Sequence, residues 1–217
     1  VIDLSELLIK QSSKFFGNIT SGANTRLATV EKAKSFPNNV EVAFQLPLRG
    51  GKLGTLAYSI AVIPENTGYK PRVADERVGF FTTAHRDIGD ASRENPWIRY
   101  INRWDLQKLD PKAKISPPKE PIVFYLEKTV PVRLRPIVRD AIEEWNKAYE
   151  KLGFDNAIEV RQQRNDDTWD PEDVRYNTFR WITAEAGFAM GPSRVNPMTG
   201  QILDADIIFD ASFLRYW

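Results

Sequence analysis

Cysteine is absent from the 217 residues, which excludes disulfides, thiol nucleophiles and every cysteine-based metal site. Histidine occurs once, at His85, so a zinc site built from several histidines cannot be assembled within this chain. Long apolar runs are missing too. Runs such as Ile207-Ile208-Phe209 are short and bounded by charge, and none reaches the 18 residues of a membrane span. Charge of one sign is not in excess: 30 Lys and Arg stand against 29 Asp and Glu, a net charge of +1. No global field draws the chain toward nucleic acid or anionic lipid. No initiator methionine and no basic-then-apolar leader opens the sequence at Val1, so a signal peptide is expected to have been removed or left out.

What is present suffices for a core. With 42% hydrophobic and 12% aromatic residues the chain can bury one large domain or two small ones, and general disorder is excluded. The last residues, Phe213-Leu214-Arg215-Tyr216-Trp217, carry large apolar side chains with no polar tail, which reads as a cut.

The chain divides near residue 90. Before that point the pattern predicts a short helix around Leu4 to Lys10, with Asp3 and Glu6 at capping-box spacing, and a loop from Asn18 to Asn24. Val40 to Phe44 alternates at period two, Leu53 to Ile63 is a second β-rich run, and Arg49-Gly50-Gly51-Lys52 between them is a hairpin turn signal. Val78 to Thr83 reads as a strand. The alternation of Ile98, Tyr100, Trp104 and Leu106 against Arg99, Arg103 and Asp105 predicts another.

The second half is more legible. Ile122 to Leu126 is a continuous apolar run entered through the Pro-rich stretch Ser116 to Pro121, as expected of a central strand buried on both faces. From Val132 to Leu152 apolar residues recur at helical spacing over five turns, and Gly153 ends the pattern. Trp145 falls on the apolar face, so its truncation to alanine is expected to cost roughly 3–5 kcal/mol. Ala157 to Arg161 then completes a β-α-β unit with a right-handed crossover. Arg175 to Thr183, Gly187 to Val195 and Ile202 to Phe209 are further strands, the last two joined by the turn Asn196 to Gly200.

Arg99-Tyr100-Ile101-Asn102-Arg103-Trp104, Ser116 to Ile122, Asp170-Pro171-Glu172-Asp173-Val174-Arg175-Tyr176 and Gly191-Pro192-Ser193-Arg194-Val195 occur in order within residues 77–217. This region resembles a family of bacterial zinc-dependent metallopeptidases of metzincin type, and the first half resembles, more weakly, the domain of unknown function that precedes the peptidase there. The resemblance implies an α+β fold: a small β-rich domain over 1–90, then over 91–217 an incomplete metzincin-like subdomain. That subdomain is a mixed, mostly parallel sheet with one long helix, built in the order strand, helix, strand, strand, antiparallel edge strand and final strand. In the family the next helix carries H-E-x-x-H-x-x-G-x-x-H, with three zinc-binding histidines and a glutamate base. No H-E-x-x-H occurs in this chain.

Each candidate site has two readings. His85, in a polar segment, is a metal ligand or, by the commoner case, an exposed loop residue. Asp166, Asp167, Asp170, Glu172 and Asp173 offer oxygen ligands for calcium but lack EF-hand spacing, and Asp170-Pro171 reads better as a helix N-cap followed by proline at N1. Asp204, Asp206 and Asp210 could act as acid and base, or form one polar face of a strand, which alternation favours. Trp97, Trp104, Trp145, Trp169, Trp181 and Trp217 could make a sugar-stacking platform, but their scatter over different elements favours packing. By resemblance, Gly187, Phe188, Ala189, Met190 and Gly191 form the edge strand that pairs with an extended peptide substrate; the other reading is an ordinary Gly-rich edge or loop.

Two functions follow. One is the N-terminal portion of a secreted, periplasmic or outer-surface zinc endopeptidase, whose partners are the C-terminal remainder of the polypeptide and a peptide or protein substrate. Zinc is then expected in the full-length parent and not in this chain alone, which is expected to be inactive. The other is a non-catalytic metzincin-like interaction or binding module.

Overall fold

Alternating apolar side chains pair two strands of the first sheet, and a more polar third strand flanks them, in a computed structural model that describes residues 3–65, 68–89, 92 and 94–215. The chain divides into two units, Val1–Val62 and Ile63–Trp217. In the first, β1 (Thr29–Ser35), β2 (Asn39–Pro47) and β3 (Leu53–Ala61) form an antiparallel meander, with β2 central. The β2–β3 turn has positive φ at Gly50 and Gly51, and Leu48 N–H donates to Lys52 O at 2.7 Å, so the predicted hairpin forms. Leu8, Ala43, Leu46 and Leu56 are buried, and Phe15, Phe16 and Phe44 meet the Tyr58 ring edge-on.

Upstream of the meander lie a π-helical turn (Glu6–Lys10), a single α-turn, α1 (Ser13–Phe16), and two 3-10 turns. The predicted capping box does not form. Asp3 accepts from Ser5 N–H at 2.8 Å, two residues on, so its carboxylate closes a local turn instead of capping the helix.

In the second unit β4 (Thr82–Arg86) and β5 (Trp97–Ile101) form an antiparallel hairpin. Residues 90 and 91, where the expected domain boundary falls, lie outside the described residues, as do Tyr216 and Trp217. β5 ends at Ile101, short of the predicted strand, because Arg103 and Gln201 pair across a separate bridge and pull the chain away.

The main sheet is built of β6 (Ile122–Leu126), β7 (Ile158–Gln162), β8 (Asn177–Ile182), β9 (Ala189–Met190) and the last strand β12 (Ile207–Asp210); between β9 and β12 in the chain, β10 (Ser193–Val195) and β11 (Ile202–Ala205) pair as a separate two-stranded hairpin. Its order is β7-β6-β8-β12-β9, with the first four strands parallel and β9 antiparallel at the edge. The protein is thus α+β and strand-rich, with a small antiparallel sheet near the N-terminus and a mixed sheet beyond. Ile122, Leu126, Val130, Ile142, Ile158, Val160 and Phe179 form the core.

The single helix predicted over 132–152 is broken. A 3-10 turn (Val132–Leu134) leads into α2 (Arg135–Glu143), and α3 (Asn146–Lys151) follows. At the break Trp145, Lys147 and Ala148 donate to carbonyls three residues back. The cause lies in Asn146, whose amide donates to Ile158 O at 2.9 Å and accepts from Ile158 N–H at 2.8 Å, tying the helical layer to the start of β7. Trp145 is turned outward and 65% exposed, contrary to the expected burial. Among the described residues no helix is long and apolar enough to cross a membrane.

Candidate functional site

The segment Gly187 to Gly191 lies at the free edge of the main sheet. Met190 faces Ile208 and Ala189 faces Phe209 across the antiparallel pair, and Asp210 N–H donates to Phe188 O at 3.1 Å. Ala189 and Met190 are exposed, and no described strand covers their outer edge.

What holds this edge is Asp210, which is fully buried. Its Oδ2 accepts from Ala186 N–H at 2.7 Å, while Oδ1 accepts from Ser212 N–H and Oγ, both at 2.9 Å. Ser212 Oγ in turn accepts from Gly187 N–H at 3.1 Å. The Ser212 backbone bond leads the effects that keep the Asp210 carboxyl below the ordinary value, against the upward push of burial. Glu185 (φ 54°) and Gly187 (φ 65°) supply the tight turn that brings these N–H groups to the carboxylate.

The other two aspartates of the predicted polar face part company, because the strand breaks at Asp206. Asp206 Oδ1 accepts from Thr178 N–H at 2.9 Å and Oγ1 at 2.6 Å, which locks β8 to the β11–β12 junction. Asp204 is buried with Arg194 Nε 3.3 Å away, and burial, then the neighbouring Asp206 charge, push its carboxyl up to about 7. A solvent-facing carboxylate row therefore does not form. Each strand here has neighbours or crossing loops on its polar side, and these supply hydrogen bonds in place of water. Asn177 does similar stitching, donating to Val123 O at 2.8 Å and accepting from Ala205 N–H at 2.9 Å.

Beside the edge strand opens an apolar groove of about 470 Å³. One wall is the outer flank of the helical layer, Ile137, Ala141 and Trp145; the floor is Phe179, Ile207 and Phe209. Phe209 lines the groove and is the cross-strand partner of Ala189, so Ala189 faces the groove side and Met190 the other.

The remaining candidates are dispersed. His85 sits within β4, not a loop, half-buried against the Tyr100 ring at 5.5 Å, because its register with Ile98 places it in the hairpin. Pro171 starts no helix; Asp170 Oδ1 accepts from Glu172 N–H in a local turn and Asp173 grips Arg175 through both oxygens. Among the described residues no group of three His, Asp or Glu side chains is placed to hold a metal ion. Trp104 and Trp181 pack on the core, Trp97 and Trp145 are exposed, and Trp169 stacks on Tyr176.

Residues 1–109, half of the chain, match the family described as a domain of unknown function, DUF5117. The chain belongs to this family. The DUF5117 match takes in the three-stranded sheet and the β4–β5 hairpin and stops before β6, so the sheet that carries the edge strand lies outside it. No curated protein and no solved structure matches the chain.

Proposed function

We propose that residues 122–215 are the scaffold and substrate-binding wall of a secreted or periplasmic zinc-dependent endopeptidase of metzincin type, with zinc and general base carried by polypeptide outside this chain. The observation that carries this reading is the free antiparallel edge strand β9 beside an uncovered apolar groove. Strand, helical layer, strand, strand and antiparallel edge strand follow one another in the chain, and the β10–β11 hairpin then precedes the last strand, β12, which supports the reading. An extended peptide adds to the outer edge of β9 through main-chain hydrogen bonds, and the exposed Met190 side chain offers an apolar contact beside it. Asp210 and Ser212 hold that edge in place, so ordering of the strand is not charged against substrate binding.

The groove suits an amphipathic helix laid beside α2, since its wall and floor are apolar. Contiguous apolar surface of this kind is seldom left uncovered on a monomer. The described residues do not themselves fit zinc: there is one histidine and no cysteine, and no three His, Asp or Glu side chains are placed to hold a metal ion. Elemental analysis of the dialysed chain is expected to find no stoichiometric zinc.

Extension of the chain along its reading frame tests the proposal. An H-E-x-x-H helix is expected there, and the extended protein is expected to cleave unfolded casein until a chelator removes zinc. Absence of that motif, or of chelator-sensitive cleavage, rejects the proposal and leaves the non-catalytic interaction module.

A further inference from the structure

Phe124 and Tyr125 are neighbours on β6 and point to opposite faces of the sheet. Phe124 lines the apolar groove, whereas Tyr125 lines a separate cavity of about 670 Å³ on the other face. The loop 163–176, between β7 and β8, supplies its remaining rings. Trp169 stacks on Tyr176 with centroids 4.7 Å apart and planes 14° from parallel, and Tyr125 meets both edge-on at 5.2 and 5.1 Å. Gln163, buried at the start of the loop, fixes the arrangement by accepting from Lys128 N–H at 3.0 Å and donating to Trp169 O at 3.4 Å. The sequence separates Tyr125 on β6 from Trp169 and Tyr176 in the loop by more than forty residues, and the fold gathers them.

The polar groups around the rings are of both signs and both hydrogen-bonding senses. Arg161 is committed: it grips Glu159 through two bonds of 2.8 Å and donates to the Tyr125 hydroxyl at 3.3 Å. The Arg164 guanidinium, the Trp169 indole N–H and the Tyr176 hydroxyl have no hydrogen-bond partner among the described residues. Asp167 uses Oδ2 for Arg164 N–H at 2.7 Å and keeps Oδ1 unused. An anionic ligand meets the Asp167 carboxylate, and a cationic one meets Arg164. The wall instead suits an uncharged molecule with an apolar face and many hydroxyls, each able to donate and accept.

We infer that the Tyr125–Trp169–Tyr176 cavity is a binding site for a neutral saccharide, with a pyranose face laid on Trp169, since the Tyr176 ring is taken by Trp169 and by the Arg175 guanidinium 5.6 Å from its centroid, and with hydroxyls bridging Arg164 and Asp167. The site is independent of the peptidase reading, because it lies on the other face of the sheet and is read by binding alone.

Isothermal titration and tryptophan fluorescence of the full chain with cellohexaose, xylohexaose and chitohexaose test it, with a sulfated heparin hexasaccharide as the anionic control. At least one neutral hexasaccharide is expected to bind, and both Trp169→Ala and Arg164→Ala to weaken it by at least about tenfold. Arg164 is exposed and unpaired, so its variant is expected to keep the parent melting temperature even if removal of Trp169 disturbs the loop. No binding of any neutral hexasaccharide at millimolar concentration overturns the inference. So does binding that survives either substitution, or binding of the heparin hexasaccharide alone.

Discussion

Two aspartates six residues apart in one segment, Asp204 and Asp210, show how far environment separates identical side chains. Asp204 has its carboxyl pushed up to about 7 by burial and the nearby Asp206 charge, whereas backbone N–H groups keep Asp210 low. A raised value means that the folded state holds a proton that the unfolded state has released. The stability tied to Asp204 is therefore full below about pH 4 and lost as pH rises through about 7. Asp204→Asn is expected to flatten this slope and to be more stable than the parent at pH 8 in urea unfolding; a less stable variant at pH 8 contradicts the assignment. The sign reverses at Asp210. Its contribution is complete above the ordinary carboxylate value and disappears as acid titrates the folded protein. Asp210→Asn is expected to lower the melting temperature at pH 7 and to speed exchange of the Ala186 and Gly187 amides, read by hydrogen–deuterium exchange. These roles were not legible in the sequence, where alternation alone puts the three aspartates on one face. A backbone N–H brought from residues 186 and 187 leaves no local signal.

At the scale of elements, apolar periodicity located the helical layer but not its break. The stripe from Leu134 to Leu152 has two flanks: Val138, Ile142 and Tyr149 line the groove and pack on the core, while Ile137, Ala141 and Trp145 line it and are exposed. Periodicity reports the width of such a stripe and not what covers each side. With Trp145 65% exposed, Trp145→Ala is expected to cost under about 1 kcal/mol in the isolated chain, and a loss near the 3–5 kcal/mol of a buried indole argues against an open groove. Gly153 is the opposite case, where the C-terminal signal was read correctly. It has φ +87°, and a Cβ there meets Lys114 O at 2.8 Å. Gly153→Ala is therefore expected to cost more than about 1 kcal/mol by thermal unfolding. β1 escaped the sequence pattern because its residues, Thr-Val-Glu-Lys-Ala-Lys-Ser, are mostly exposed at the sheet edge and show no apolar alternation. Ile202 to Phe209 was read as one strand because Asp206 preserves the period; its hydrogen bonds to Thr178 impose the break.

For the molecule as a whole, the open groove is the feature with the largest consequence in solution. Light scattering of the isolated chain over a concentration series is expected to show an apparent mass rising above that of the monomer, and Trp145→Ser to reduce the rise. A mass constant at the monomer value up to high concentration contradicts a sticky groove. The sequence by itself determined the meander turn at Gly50-Gly51, the strand Ile122–Leu126 and the exclusion of a multi-histidine zinc site, since each follows from composition or from short-range periodicity. Only the tertiary structure decided that Gly187 to Gly191 lies on a free edge held by Asp210, that Asp204 is buried, and that Tyr125, Trp169 and Tyr176 meet. Those facts depend on strand order and on loops that cross the sheet. Residues far apart in the chain come together there through hydrogen bonds and packing that no local pattern encodes.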